Sequence, residues 1–168
     1  AYFSYDSMKS GGLTQSHLRF GDDPIRSTYL VSMADFVAVH APTYVSKYDT
    51  TEDLKDGGIY LLNCPWSADE LENRLPAKMK RDLYHKHAQF YIIDAAKIAG
   101  EIGLGKRTNN ILQAAFFALT KVIPLDVAVE DMKKNNYNSY FKKAGQKIVD
   151  MNNEAVDRGV DAAVRVEI

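Results

Sequence analysis

The residues best suited to chemistry near the start of the chain are Lys9-Ser10-Gly11-Gly12, followed by His17 and Arg19. Glycine lets backbone N–H groups approach an anion, and lysine and arginine add cationic, hydrogen-bonding side chains. The group is therefore a candidate cradle for a phosphate. Ser-Gly-Gly loops also simply turn a chain, and that plainer role fits the same residues. Gly103-Leu104-Gly105-Lys106-Arg107 has a similar composition. It follows a predicted helix instead of a strand, so it reads as a helix C-cap and not as a dinucleotide fingerprint.

The other reactive side chains form no constellation. His85 and His87 are two positions apart on a predicted helix and point to different sides, which suits no shared metal. His40 closes a predicted strand, where ligands of open α/β sheets bind, although a hydrogen-bonded structural histidine fits as well. Cys64 closes the next strand beside Pro65 and Trp66. A nucleophile needs a base partner, and none is signalled; a buried free thiol is the simpler reading. The carboxylate pairs Glu52-Asp53 and Glu130-Asp131 fall on predicted helices as solvated charges.

These residues need a scaffold, and the apolar pattern supplies one. Tyr2 to Tyr5 reads as a short strand, and Leu13 to Phe20 as an edge or partly covered one. Gly21-Asp22-Asp23-Pro24 reads as a turn. Phe36 to Val39, Ile59 to Leu62 and Phe90 to Ile93 are compact apolar runs, the mark of strands buried on both faces. Between them, Pro42 to Tyr48 suits a short helix. Thr50 or Thr51 suits the cap of another, ending at Gly57-Gly58. Ser67-Ala68-Asp69-Glu70 matches a capping box opening a helix through Leu71 and Leu75, and Pro76 starts a helix to about His87. Asp94 suits the cap of a helix from Ala95 to Ile102.

Beyond Gly105 the pattern is helical. Asn109 to Ile123 is apolar around most of its circumference, which reads as a central core helix of this domain or, alternatively, as one that a sister domain or subunit also covers on one side. Pro124 starts another helix, and Ser139 to about Ala163 reads as a long polar-faced one. Strands alternating with helices, then helices alone, predict an α/β fold with a mainly parallel sheet and a helical C-terminal portion.

Composition narrows the partners. The chain of 168 residues fits one domain, with 46% apolar and 26% charged residues. Its net charge of -1, from 21 basic and 22 acidic residues, gives no reason to expect nucleic acid or an anionic membrane surface. One cysteine permits neither an intrachain disulfide nor cysteine-ligated zinc or iron–sulfur, and fits a reducing, cytoplasmic setting. No apolar run approaches the roughly 20 residues that span a bilayer. The first residue is Ala1, inside a predicted strand, which reads as a cut within a longer polypeptide.

Several motifs occur in an order with a familiar counterpart. They are Tyr5-Asp6-Ser7-Met8-Lys9-Ser10-Gly11-Gly12, Ser16-His17-Leu18-Arg19-Phe20-Gly21 and Pro24-Ile25-Arg26-Ser27-Thr28-Tyr29-Leu30. Ala34-Asp35-Phe36-Val37-Ala38, Gly57-Gly58-Ile59-Tyr60-Leu61-Leu62-Asn63, the run from Phe90 to Ala99 and the run from Gly103 to Gln113 follow. Together they resemble the Rossmann-like gamma domain of pyruvate:ferredoxin (flavodoxin) oxidoreductases. The resemblance implies one gamma-type domain over 1–168 that lacks the family's first strand and glycine-rich loop. The thiamine diphosphate motif and the cluster cysteines of the family are absent from the chain.

The resemblance further implies a parent enzyme converting pyruvate and coenzyme A to acetyl-CoA and carbon dioxide. That parent uses thiamine diphosphate and iron–sulfur clusters, and passes electrons to ferredoxin or flavodoxin. It is expected to be a cytoplasmic homodimer, with the other domains of the same polypeptide as this chain's partners. This domain is then architectural, and Lys9, Ser10, Gly11, Gly12 and Arg19 border the coenzyme A entrance. Two other readings remain beside it. One is a free-standing α/β module for a phosphate-bearing ligand; the other is a small hydrolase or transferase using Cys64 or a histidine.

Overall fold

A computed structural model describes residues 2–5, 14–17 and 33–168. Strand β1 (Tyr2–Tyr5) pairs antiparallel with β2 (Thr14–His17), from Tyr2 opposite His17 to Tyr5 opposite Thr14. The turn at Gly21 to Pro24 lies outside the described residues.

A separate sheet forms the core. Its order is β3 (Ala34–Val39), β4 (Leu54–Asn63), β5 (Gln89–Ile93) and β6 (Val164–Val166). The first three strands are parallel and β6 is antiparallel to β5. Side chains alternate across a pleated strand, so each strand feeds two layers. Tyr60, Leu62, Phe90 and Ile92 point to one face, under α1 (Tyr44–Lys47), α2 (Leu71–Arg74) and α3 (Ala77–His85). Leu61, Tyr91 and Ile93 point to the other, under α4 (Ala95–Ile102), α5 (Asn109–Thr120) and α7 (Gln146–Val160). Helix α6 (Leu125–Ala144) packs outside this layer through Met132 and Val129, beside Ala114 and Val156. The result is the expected α/β architecture, a mainly parallel sheet flanked by helices.

Four local expectations are corrected. Phe36 to Val39 is an edge strand among the described strands, and only Val39 is fully buried. The helix expected from Thr50 or Thr51 to Gly57-Gly58 does not form. The Thr51 hydroxyl instead donates to Asp82 Oδ2 at 2.7 Å, and Leu54 opens the ten-residue β4. Gly57, at φ +73°, and Gly58 sit within that strand, where the register jumps from Ala34–Leu54 to Phe36–Ile59. Paired glycines here accommodate a strand irregularity, not a helix end.

Ser67 and Glu70 bond side chain to side chain at 3.4 Å and open a 3-10 turn (Ala68–Glu70) ahead of α2. The long helix from Ser139 to Ala163 is broken at Gly145, whose φ of +84° ends α6 and starts α7. After Val160 the chain leaves the helix altogether and adds β6 to the sheet.

The apolar helix behaves as a core element over most of its length. Ile111, Leu112, Ala114 and Ala115 are buried, and Phe116 meets Phe36 edge-on with ring centroids 5.0 Å apart. Val122 and Ile123, expected in the same helix, lie beyond its end and are exposed.

Candidate functional site

Parallel strands β3, β4 and β5 all end on the same side of the sheet, where open α/β folds bind ligands. His40, Asn63, Cys64 and Asp94 sit at those ends. Asn63 links them. Its Nδ2 donates to the His40 carbonyl at 3.1 Å, and its Oδ1 accepts from the Ala95 amide at 3.1 Å. One side chain thus ties the end of β3 to the first turn of α4. Asp94 caps that helix, as its position predicts, by accepting from the Lys97 amide at 3.1 Å.

Beside these strand ends lies a shallow crevice of about 290 Å³, with Ile92, Ile93 and Ile98 in its lining. Lys97, Glu101 and Arg158 give it a charged rim, with Arg158 paired to Glu101. That guanidinium holds the Glu101 carboxyl below its usual range. Trp66 forms part of the wall and carries the Arg74 guanidinium 5.7 Å over its ring.

Chemically, Asn63, Cys64 and Asp94 are committed to structure. Cys64 is buried, and burial pushes its thiol pKa up. Its sulfur donates to the Trp66 carbonyl at 3.9 Å, which is a donor's role and not a nucleophile's. This argues against the hydrolase or transferase reading on Cys64. His85 and His87 are exposed, and His87 adopts a left-handed backbone at φ +51°. Glu52 and Asp53 lie in the turn before β4, not on a helix, and are solvated. Gly103 is the left-handed C-cap of α4, its amide donating to Ala99, so Gly103 to Arg107 has the capping role that its position predicts. Among the described residues, no group of three His, Cys, Asp or Glu side chains is placed to hold a metal.

Lys9, Ser10, Gly11, Gly12 and Arg19 lie outside the described residues, and His17 is placed only as the last residue of β2. Sequence reasoning missed Asn63, Trp66–Arg74 and Glu101–Arg158 as partners. Each depends on contacts between distant segments, and only the position of Asn63 at the end of an apolar run hinted at its role.

Residues 1–162 match the family model described as Pyruvate ferredoxin/flavodoxin oxidoreductase. The chain belongs to that family. Across 166 residues it is 53% identical to a pyruvate:ferredoxin oxidoreductase of Moorella thermoacetica, covering 99% of this chain and 14% of the relative. It is 52% identical to a pyruvate-flavodoxin oxidoreductase of Enterobacter agglomerans, covering all of this chain and again 14% of the relative. A pyruvate dehydrogenase [NADP(+)] of Cryptosporidium parvum is 48% identical over 98% of this chain and 8% of its own length. This member of the oxidoreductase family thus spans about one-seventh of the first two relatives. Its fold is shared with pyruvate oxidoreductase subunit PORC of Thermotoga maritima at a TM-score of 0.62 and 21% identity, over 82% of this chain and 67% of that one. No helix among the described residues is long and apolar enough to cross a membrane.

Proposed function

We propose that this chain is an architectural domain of a 2-oxoacid oxidoreductase that converts pyruvate and coenzyme A to acetyl-CoA and carbon dioxide. Electrons leave to ferredoxin or flavodoxin. The observation carrying this reading is near-complete, roughly 50% identical coverage of this chain by a small part of such enzymes. The geometry is compatible with it, because Asn63, Cys64 and Asp94 at the strand ends make hydrogen bonds that hold the fold together.

The parent's iron–sulfur clusters do not fit the residues present. A cysteine-ligated cluster takes four thiolates, and the chain has one cysteine, buried and bonded to a carbonyl. Other domains of the polypeptide would hold the clusters.

Within this reading, Lys9, Ser10, Gly11, Gly12 and Arg19 border the coenzyme A entrance. Coenzyme A carries a pyrophosphate and a ribose phosphate, which suit backbone donors of a glycine loop and two cationic side chains. A charge-assisted contact is worth on the order of 1.5–3 kcal/mol, so losing one weakens binding about tenfold or more. The test is Lys9→Ala and Arg19→Ala in the complete oxidoreductase, assayed with pyruvate and an electron acceptor. The KM for coenzyme A should rise about tenfold while the KM for pyruvate holds. Unchanged coenzyme A kinetics in both folded variants would refute the entrance. A complete polypeptide with no coenzyme A-dependent pyruvate oxidation would refute the wider reading.

A further inference from the structure

The core sheet has an unguarded edge. Strand β6 bonds to β5 on one side, and no described strand lies on its other side. Unpaired backbone groups on such an edge template further strands, and lysine, proline or a bulge usually blunts them. Val164 to Ile168 reads Val-Arg-Val-Glu-Ile, with no lysine or proline, and the register of β6 on β5 is regular. Val164 and Val166 stand opposite Ile92 and Phe90 and share their face of the sheet. Val166 packs against the core there, whereas Val164 is 56% exposed. Ile168, the next apolar residue of the alternation, is 48% exposed. Arg165 stands opposite Tyr91 on the other face, its guanidinium 5.9 Å over that ring, and its Nε lies 3.8 Å from a Glu167 carboxylate oxygen.

We propose that this edge pairs with the same edge of a second copy of the chain, antiparallel across a twofold axis at Val166, so that the two sheets become one. A twofold axis perpendicular to the sheet keeps every residue on its own face. It must therefore pass through a residue paired with its own copy. Centred on Arg165 or on Glu167, the pairing would set like charges directly opposite. Centred on Val166, it sets Arg165 opposite Glu167 of the other copy, twice, and Val164 opposite its Ile168, twice. That is the register in which every residue from Val164 to Ile168 finds its counterpart within the same segment. The four charged groups then alternate in sign on one face. On the other face, the exposed Val164 and Ile168 extend the apolar layer begun by Phe90 and Ile92. Charges of a single sign would make this edge repel its own copy, whereas one cation and one acid flanking Val166 make it self-complementary.

The test is sedimentation equilibrium of the full 168-residue chain up to about 1 mM, with Arg165→Glu and Glu167→Arg variants. A weak monomer–dimer equilibrium is expected, because one short strand pair is a small interface. Amides from Val164 to Ile168 should gain protection from hydrogen exchange as the chain is concentrated. Each single reversal turns both cross-strand charge pairs into like-charge pairs and should raise the Kd about tenfold. An equimolar mixture of the two variants should regain wild-type association as a heterodimer, because both positions then face opposite charges. Both reversals in one chain should do the same as a homodimer. A fold defect would not be repaired by mixing. A monomer throughout the range, open-ended association, or protection confined to other segments would overturn the proposal. So would reversals without effect, or a mixture that stays as weak as its components.

Discussion

Replacing Gly159 with alanine should wedge α5 away from α7. Gly159 lies in the last turn of α7 and is buried against α5. A Cβ placed there would sit 2.5 Å from the Ile111 carbonyl oxygen, 2.9 Å from the Ile111 Cα and 3.0 Å from the Ala114 Cβ. Two of these three atoms are backbone and cannot rotate away. Ordinary contact begins near 3.4 Å, so the helices must separate locally by up to about 0.9 Å. The Asn110–Asn152 hydrogen bond, 2.9 Å long, joins the same two helices and would lengthen with them. Overpacking of this kind costs about 1–3 kcal/mol, rising toward the upper figure where backbone must move. Alanine returns about 0.8–1 kcal/mol of helix propensity. The net expectation is a loss of about 1–2 kcal/mol, or a fall in Tm of roughly 2–8 °C for a domain this size. Urea denaturation of the 168-residue chain measures the loss directly. Gly100→Ala is the internal control, since that glycine is exposed within α4 and a Cβ there meets nothing within 4 Å. It should stabilise by about 0.5–1 kcal/mol. A Gly159→Ala chain as stable as wild type, beside a stabilised Gly100→Ala, would refute the close-packing argument.

Thr51→Val should cost about 1–2 kcal/mol, because the Thr51 hydroxyl is buried and donates to the Asp82 carboxylate; a urea midpoint equal to wild type would contradict it. Acid should weaken the same region. Lys78 bonds Asp49 at 2.7 Å and Asp82 at 2.8 Å and holds both carboxyls below their ordinary range. Groups with depressed folded pKa values stabilise above their unfolded values and lose that contribution as pH falls through the folded ones. Tm should therefore drop below about pH 4, and by less in Asp82→Asn; parallel Tm profiles for the two chains would refute the assignment. Cys64 should resist a thiol reagent at neutral pH until the chain unfolds, since burial raises its pKa; stoichiometric labelling of the native chain within minutes would show an accessible thiolate.

The fold was legible where one local signal agreed with the global arrangement. Ile59 to Leu62 and Phe90 to Ile93 are apolar on both alternating sets of positions, as central parallel strands must be, and Asp94 stands where α4 needs a cap. Phe36 to Val39 carries the same composition, yet lies at the edge among the described strands. Composition records apolar character but not which neighbour covers it. Thr51 and Gly57-Gly58 have the chemistry of a helix cap and stop. Asp82, 31 residues away, takes the threonine hydroxyl, and parallel pairing with β3 takes the segment that follows. Val164 to Val166 was hidden for the same reason. Its partners Phe90, Tyr91 and Ile92 lie more than 70 residues earlier, and three residues of polar alternation do not announce such a pairing.

The site follows a similar logic. Asn63 is an ordinary residue in sequence, and only the fold brings the His40 carbonyl and the Ala95 amide to its two ends. A ligand that took over either of these two bonds would break the link between β3 and α4. Each unsatisfied group left behind would cost about 1–3 kcal/mol. Asp94 is committed to the α4 cap and Cys64 to the Trp66 carbonyl, which places them under the same constraint. The crevice beside them is therefore bounded in part by groups that maintain the sheet.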